Sequence, residues 1–310
     1  MTETQATYHQ PVMLAECMDG LNIRPDGVYV DVTFGGGGHS RAIIERLGND
    51  GRLIAFDQDA DALVNTIPDP RFTLIHENFK HLKAFLRLNG IRHIDGLIAD
   101  LGVSSHQFDE ASRGFSTRFD GQLDLRMDRR QDFSAKELVN DSDEADLCRI
   151  LRLYGELPNA MQMAHAIRLY RNECAIETTQ QLKDAVSRHL PKNQENKYLA
   201  MLFQALRIEV NGELEALKQL LQQATQLLNP GGRLVVMSYH SLEDRIVKNY
   251  MRAGNFEGEI AKDFFGNPLV PYKLISRKAI TASAEELQYN NRARSAKLRI
   301  AERNQTEFRV

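Results

Sequence analysis

Three acids and one glycine loop are the residues of this 310-residue chain whose types and spacing could do chemistry. The run Asp31-Val32-Thr33-Phe34-Gly35-Gly36-Gly37-Gly38-His39-Ser40 follows the apolar stretch Val28-Tyr29-Val30 and precedes a helix-like run from Arg41 to Leu47. Strand, glycine loop and helix in that order bring a nucleotide-like ligand against bare backbone. Glycine permits the approach because no Cβ stands in the way. A second strand, Arg52-Leu53-Ile54-Ala55-Phe56, ends in Asp57, whose carboxylate can accept hydrogen bonds from two ribose hydroxyls. A third acid, Asp100, ends the run Ile94-Asp95-Gly96-Leu97-Ile98-Ala99.

A glycine loop alone serves equally well as a tight turn, and the strand-end acid is what turns it toward a ligand. The dinucleotide fingerprint asks for a third glycine inside the first helical turn. Ser40 or Arg41 stands there instead, which disfavours NAD and FAD. S-adenosylmethionine carries ribose hydroxyls and an ammonium but no pyrophosphate. It fits an acid opening the loop and an acid closing the next strand.

The elements that must position these groups alternate. Strand candidates are 28–33, 52–57, 72–76 and 94–100, with helices around 38–47, 59–65 and 79–88 between them. Such alternation predicts a parallel sheet covered by helices. A fifth strand, Arg233-Leu234-Val235-Val236-Met237-Ser238, follows the helix stop Asn229-Pro230-Gly231-Gly232. The gap between strands four and five far exceeds the roughly 30 residues of an ordinary crossover unit. Most of the excess has helical spacing: Leu147, Ile150, Leu151 and Tyr154; Ala160, Met163, Ala164 and Ile167; Leu182, Ala185, Val186 and His189; Leu199, Leu202, Phe203 and Leu206. These stripes predict the core of a small bundle. The expected division is 1–107 and 211–310 for the sheet domain, with 108–210 as an inserted helical substrate-recognition domain.

The segment from Gly102 to Ser134 follows neither period. It carries Phe108, Phe115 and Phe119 among Arg113, Arg118, Arg126, Arg129 and Arg130. Aromatics interleaved with arginines suit unpaired bases and phosphates. The same arginines could equally pair with Asp120, Asp124, Asp128 and Asp132. Arg126, Arg129 and Arg130 are the candidate RNA contacts, and His240 and Ser241, just after strand five, could face the substrate.

Bulk properties narrow the setting. A formal net charge of −3 does not advertise a nucleic-acid partner. Arg292, Arg294, Lys297, Arg299 and Arg303 crowd together against Glu302, which predicts a solvated basic face. Cys17, Cys148 and Cys174 have no metal-ligand spacing, so a reduced cytoplasmic protein without a bound metal is expected. Residues 1–8 are polar and do not make a signal peptide. No apolar run approaches the ~20 residues that span a bilayer, so no membrane partner is expected.

Taken in order, DVTFGGGGHS at 31–40, DLGVSSHQ at 100–107, RGFS at 113–116, LDLRMD at 123–128 and SYHSLEDRIVK at 238–248 resemble the bacterial 16S ribosomal RNA cytosine-N(4) methyltransferase family. His9-Gln10-Pro11-Val12 and Asn291-Arg292-Ala293-Arg294-Ser295 fit as well. The resemblance implies a class I Rossmann-like S-adenosylmethionine-dependent methyltransferase sheet with an inserted, mostly helical domain. It implies S-adenosylmethionine as methyl donor and a decoding-site cytidine amine in the 16S rRNA of the small subunit as acceptor. Cofactor contacts carry over onto Gly37, Gly38, His39, Asp57, Phe79, Asp100 and Gln107. Phe79 and Gln107 rest on the resemblance alone.

The cytosine amine is a weak nucleophile because its lone pair is delocalised into the ring. Asp100, at the carboxyl end of a central strand, is the candidate acceptor that helps the amine pyramidalise. It could instead hold the methionine end of the cofactor. The two prolines and aromatic of better-known amino-methyltransferases are replaced by Leu101, Gly102 and Val103. The sequence leaves the oligomeric state open between monomer and homodimer.

Overall fold

A computed structural model of the chain describes residues 11–305. His9, Gln10 and the polar stretch 1–8 lie outside the described residues. The chain divides into two compact units. One runs to Gly102 and resumes at Glu215; the other is Val103–Leu214. The sequence reading placed these divisions at 107 and 210.

The first unit is built on a seven-stranded sheet in the order β3-β2-β1-β4-β5-β7-β6. Its strands are β1 Val28–Asp31, β2 Arg52–Asp57, β3 Phe72–His76, β4 Ile94–Asp100, β5 Leu228–Ser238, β6 Tyr272–Leu274 and β7 Lys297–Arg303. The first five run parallel, and β7 runs antiparallel to both β5 and β6. This is the Rossmann-like sheet of class I methyltransferases, as expected.

Parallel strands covered on both faces are apolar throughout, and Leu53 to Phe56 are fully buried. Alternate residues feed two cores. Val30, Ile54, Phe56, Leu97, Ala99 and Val236 pack on one face with the helices Leu82–Leu88, Glu213–Leu227 and Ser241–Ala253. Tyr29, Leu53, Ala55, Ile98, Val235 and Met237 pack on the other with Leu14–Leu21 and Gly38–Ile44. Of the helices expected around 59–65 and 79–88, residues 60–65 and 79–81 are 3-10 helix and Leu82–Leu88 is α-helix. The helix before β5 ends at Leu227, and Asn229–Gly232 sit in a register shift at the start of that strand.

The basic run near residue 300 corrects an expectation. Lys297, Arg299 and Arg303 do not make a free solvated face but belong to strand β7, while Arg292 and Arg294 lie in the turn Asn291–Ser295 before it. Leu298 and Ile300 are buried against the sheet, while the charges alternate with them. Arg299 donates to Asp244 at 2.7 Å, Lys297 approaches the same carboxylate at 3.4 Å, and Arg303 donates to the backbone carbonyls of Thr225 and Pro271. Reading by charge hid a period-two strand.

The second unit is helical: Ala135–Asp141, Glu144–Leu153, Ala160–Glu173, Thr179–Val186 and Glu195–Asn211. Ser134 with Glu137 and Thr178 with Gln181 close capping boxes at two helix starts. Leu147, Ile150, Leu151, Met163, Ile167, Leu182, Leu202, Phe203 and Leu206 form its core. Residues 103–134 wrap that core as short turns rather than long elements. Arg113 pins them: fully buried, it donates to the carbonyls of Arg126 and Met127 at 3.0 and 3.2 Å over the Phe115 ring. Asn211 donates to the Leu125 carbonyl and accepts from the Met127 amide.

Candidate active site

In an open parallel sheet, ligands gather beyond the carboxyl ends of the strands, where strand order reverses. Here the reversal lies between β1 and β4. Asp31 ends β1, Asp57 ends β2, Asp100 ends β4, and Tyr239 and His240 directly follow β5. All five therefore lie along one edge.

The loop after β1 is held on both sides. The Val32 amide donates to Ile98 of β4 and the Phe34 amide to Phe56 of β2, each at 3.0 Å. Thr33 Oγ1 accepts from the Asp100 amide at 2.7 Å. Asp31 is buried and accepts from Ser40 Oγ at 2.7 Å and the Thr33 amide at 3.1 Å. Two glycines are required by conformation or contact. Gly37 has φ of 76°, and a Cβ there would come within 2.9 Å of the Phe34 ring. A Cβ on Gly38 would come within 2.2 Å of Pro11. A Cβ on Gly36 would meet no protein atom within 4 Å, so the loop is open on that side.

Asp57 is fixed by two backbone donors, Gly35 at 2.7 Å and Asp59 at 2.9 Å. Burial pushes its carboxyl up to about 6. Phe79 begins the turn after β3 and rests partly buried on the core. Its neighbour Asn78 donates to Gln58 at 2.6 Å, which ties that turn to the residue after Asp57. His39 is buried with Nε2 at 3.2 Å from the Val12 carbonyl.

Asp100 accepts a 2.6 Å hydrogen bond from the Tyr239 hydroxyl. Burial pushes Asp100 up to about 6, against the pull of His39 and of this hydrogen bond. Burial, followed by the nearby Asp100 charge, pushes both the Tyr239 hydroxyl and the Cys17 thiol up. Sequence reasoning missed Tyr239 as a site residue. Its signal was present, since an aromatic hydroxyl stands directly after an apolar strand in the quoted run SYHSLEDRIVK.

Other candidates stand differently. His240 caps the helix Ser241–Ala253: its Nδ1 accepts from the Glu243 amide at 3.4 Å, and its Nε2 lies 3.2 Å from Glu243 Oε1. Its side chain is only 8% exposed, whereas Ser241 is exposed. Gln107 belongs to the second unit. There it closes a capping box with Ser104, accepting from the Ser104 amide at 3.0 Å. In the same unit Arg126 pairs with Asp124 at 2.6 Å and Arg130 with Asp128 at 2.8 Å, while Arg129 is exposed.

The acids of the edge share one property. Among the described residues, Asp31, Asp57 and Asp100 take their hydrogen bonds from backbone amides and hydroxyls, not from lysine or arginine side chains. A crowd of buried and half-buried carboxylates so arranged favours a ligand that brings positive charge and hydroxyl donors. Together with the strand order, this defines the nucleoside-binding domain of a class I methyltransferase.

The particular family follows from comparison. The sequence profile of the MraW methylase family matches residues 6–304, and the chain belongs to that family. It is 55% identical over 300 residues to ribosomal RNA small subunit methyltransferase H of Flavobacterium johnsoniae, covering 97% of this chain and 99% of that one. It is 53% identical to the protein of the same name from Bacteroides thetaiotaomicron, covering 98% of this chain and all of that one. Among solved structures, an rRNA methylase from Streptococcus thermophilus aligns over 94% of each chain with 12% identity and a TM-score of 0.42.

Proposed function

We propose that this protein transfers a methyl group from S-adenosylmethionine to the 4-amino group of a decoding-site cytidine in the 16S rRNA of the small ribosomal subunit. The observation that carries the reading is the edge of acids, buried Asp31 and half-buried Asp57 and Asp100, beside a glycine loop with no room for side chains at Gly37 and Gly38. These residues suit S-adenosylmethionine, which has ribose hydroxyls, an ammonium and a sulfonium and lacks the pyrophosphate that such acids would repel. When bound, it supplies an electrophilic methyl group on sulfur.

Asp57 would accept from the ribose hydroxyls, its carboxylate already oriented by Gly35 and Asp59. Gly37, Gly38 and His39 would line the loop side, Phe79 the side of the base, and Gln107 would complete the contacts. Asp100 has one oxygen engaged by Tyr239, leaving Oδ2 to accept from the cytosine amine and favour its pyramidal form. Part of the rate would come from positioning and exclusion of water rather than from a strong base. A cytosine must leave its stack to reach such a site. Arg126, Arg129 and Arg130, with His240 and Ser241, would serve the RNA. The names of relatives more than half identical support small-subunit rRNA as substrate, and the motif resemblance supports the choice of base. An rRNA substrate implies action in the cytoplasm, and no helix among the described residues is long and apolar enough to cross a membrane.

The test is incubation of purified protein with unmodified small subunits and labelled methyl donor, followed by nucleoside analysis. Label on the cytidine 4-amino group is expected. Label only on carbon 5, on the ribose or on protein would overturn the reading.

A further inference from the structure

Between the helix Ser241–Ala253 and strand β6 the chain makes a hairpin that the cofactor edge does not explain. Lys262 bridges to Pro268, the Leu269 amide donates to the Ala261 carbonyl at 2.8 Å, and the Asp263 amide to the Asn267 carbonyl at 2.9 Å. The tip is fixed by one side chain. Asp263 accepts from the amides of Phe265 and Asn267, each at 2.8 Å, and from Asn267 Nδ2 at 2.9 Å. Gly266 takes the positive φ of 85° that the turn needs.

The ordered tip displays two aromatic rings. Phe264 is 97% exposed and Phe265 84%, their centroids 5.7 Å apart and their planes nearly perpendicular. An aromatic pair held rigid and left in water is a contact surface awaiting a partner. The chemistry of the tip favours a nucleic acid. Its acid keeps its charge but turns both oxygens onto the amide donors of the turn, which hold the Asp263 carboxyl below the usual range. Its cation, Lys262, is exposed and carries no ion pair among the described residues.

We infer that Phe264 and Phe265 stack on unpaired bases of small-subunit rRNA, with Lys262 beside a phosphate. The inference rests on the proposed substrate and adds a second, remote point of contact. β6 begins directly after the hairpin, and Tyr272 pairs with Arg303 at the end of the sheet where Arg233 pairs with Glu302. The hairpin thus leaves the edge opposite Asp100, separated from it by the parallel portion of β5, roughly 17 Å at strand rise. It grips RNA other than the target cytidine.

Two arms test this. Phe264→p-benzoylphenylalanine, irradiated with unmodified small subunits, should give an adduct to 16S rRNA. The double variant Phe264→Ala with Phe265→Ala should raise the Kd for small subunits about tenfold or more, since each ring–base stack is worth that much. It should raise KM, keep kcat within about twofold and leave S-adenosylmethionine affinity and Tm unchanged. The pair Phe264→Tyr with Phe265→Tyr should restore binding, because the rings are kept. An adduct to a ribosomal protein or to a second copy of the chain, no adduct at all, or an unchanged Kd in the double-alanine variant would each overturn the inference. Failure of the wild type to methylate 16S rRNA would instead overturn the proposed function, because crosslinking and binding are read without methyl transfer.

Discussion

The Tyr239 hydroxyl donates to Asp100 Oδ1 at 2.6 Å, joining the end of β5 to the end of β4 across the candidate methyl-transfer site. The bond stabilises the Asp100 carboxylate against its own burial. If the carboxylate form accepts from the amine, methyl transfer should fall as pH drops through about 6. Tyr239→Phe removes a stabilising donor, so the acid limb should move to higher pH. A pH profile of kcat/KM for both proteins checks the direction.

Asp57→Ala should weaken S-adenosylmethionine binding and keep the fold. Hydrogen bonds to a charged group contribute about 1.5–3 kcal/mol each, so a loss of at least tenfold in affinity is expected. Calorimetry on the folded variant reads it directly.

The same acid should cost stability when no ligand is bound. Burial raises its folded value to about 6, above the ~3.9 of an unfolded aspartate. Between those values the folded chain binds more protons than the unfolded one, so stability falls as pH rises across that window. Asp57→Asn removes the titrating group but gives up one of the two acceptors for Gly35 and Asp59, so the stability of the ligand-free variant relative to the wild type should rise between pH 4 and pH 7 by on the order of 1 kcal/mol after allowance for solvent screening. Thermal unfolding of both proteins at pH 4, 5 and 7 should show the difference growing with pH.

Arg126 and Arg129 should differ in how much structure they carry beside any RNA contact. Arg126 pairs with Asp124 and also donates to the Gln131 carbonyl, so Arg126→Ala should destabilise the helical unit by about 1–3 kcal/mol. Arg129→Ala should leave Tm unchanged and weaken subunit binding. The salt dependence of that binding should lose about one phosphate contact in slope. Melting curves and a salt titration distinguish the two outcomes.

Gly37→Ala should damage the cofactor loop more than a lost hydrogen atom suggests. The left-handed backbone costs an alanine roughly 1–2 kcal/mol, and the new Cβ would press on Phe34. S-adenosylmethionine affinity should fall together with Tm.

What could be read from the sequence follows from where the signals are local. The apolar runs ending in Asp57 and Asp100 announced strands and acids together, and the long gap before Arg233 announced the insertion. Tyr239 was passed over because its role depends on β4 and β5 lying side by side, a neighbourhood created by residues far apart in the chain. Strand β7 was hidden because its alternation is written in arginine and lysine, which weigh as surface when counted by charge. The hairpin at Phe264 was silent for a related reason. Its exposure follows from a turn organised by Asp263 and Gly266, and nothing in two adjacent phenylalanines says they will not be buried.

The position of β7 between β5 and β6 also sets an order of events. The other strands all precede it in the sequence, yet among the described residues β6 has no strand partner in the sheet except β7. Until Lys297–Arg303 dock, the sheet has a gap, and Asp244 and the carbonyls of Thr225 and Pro271 lack the side chains they receive from β7. A nascent chain can build the half of the site around Asp31 and Asp57 early, but the wall behind Tyr239 closes last. Long-range pairings of this kind fold slowly, so the docking of β7 should set the pace at which the Tyr239 side of the site matures.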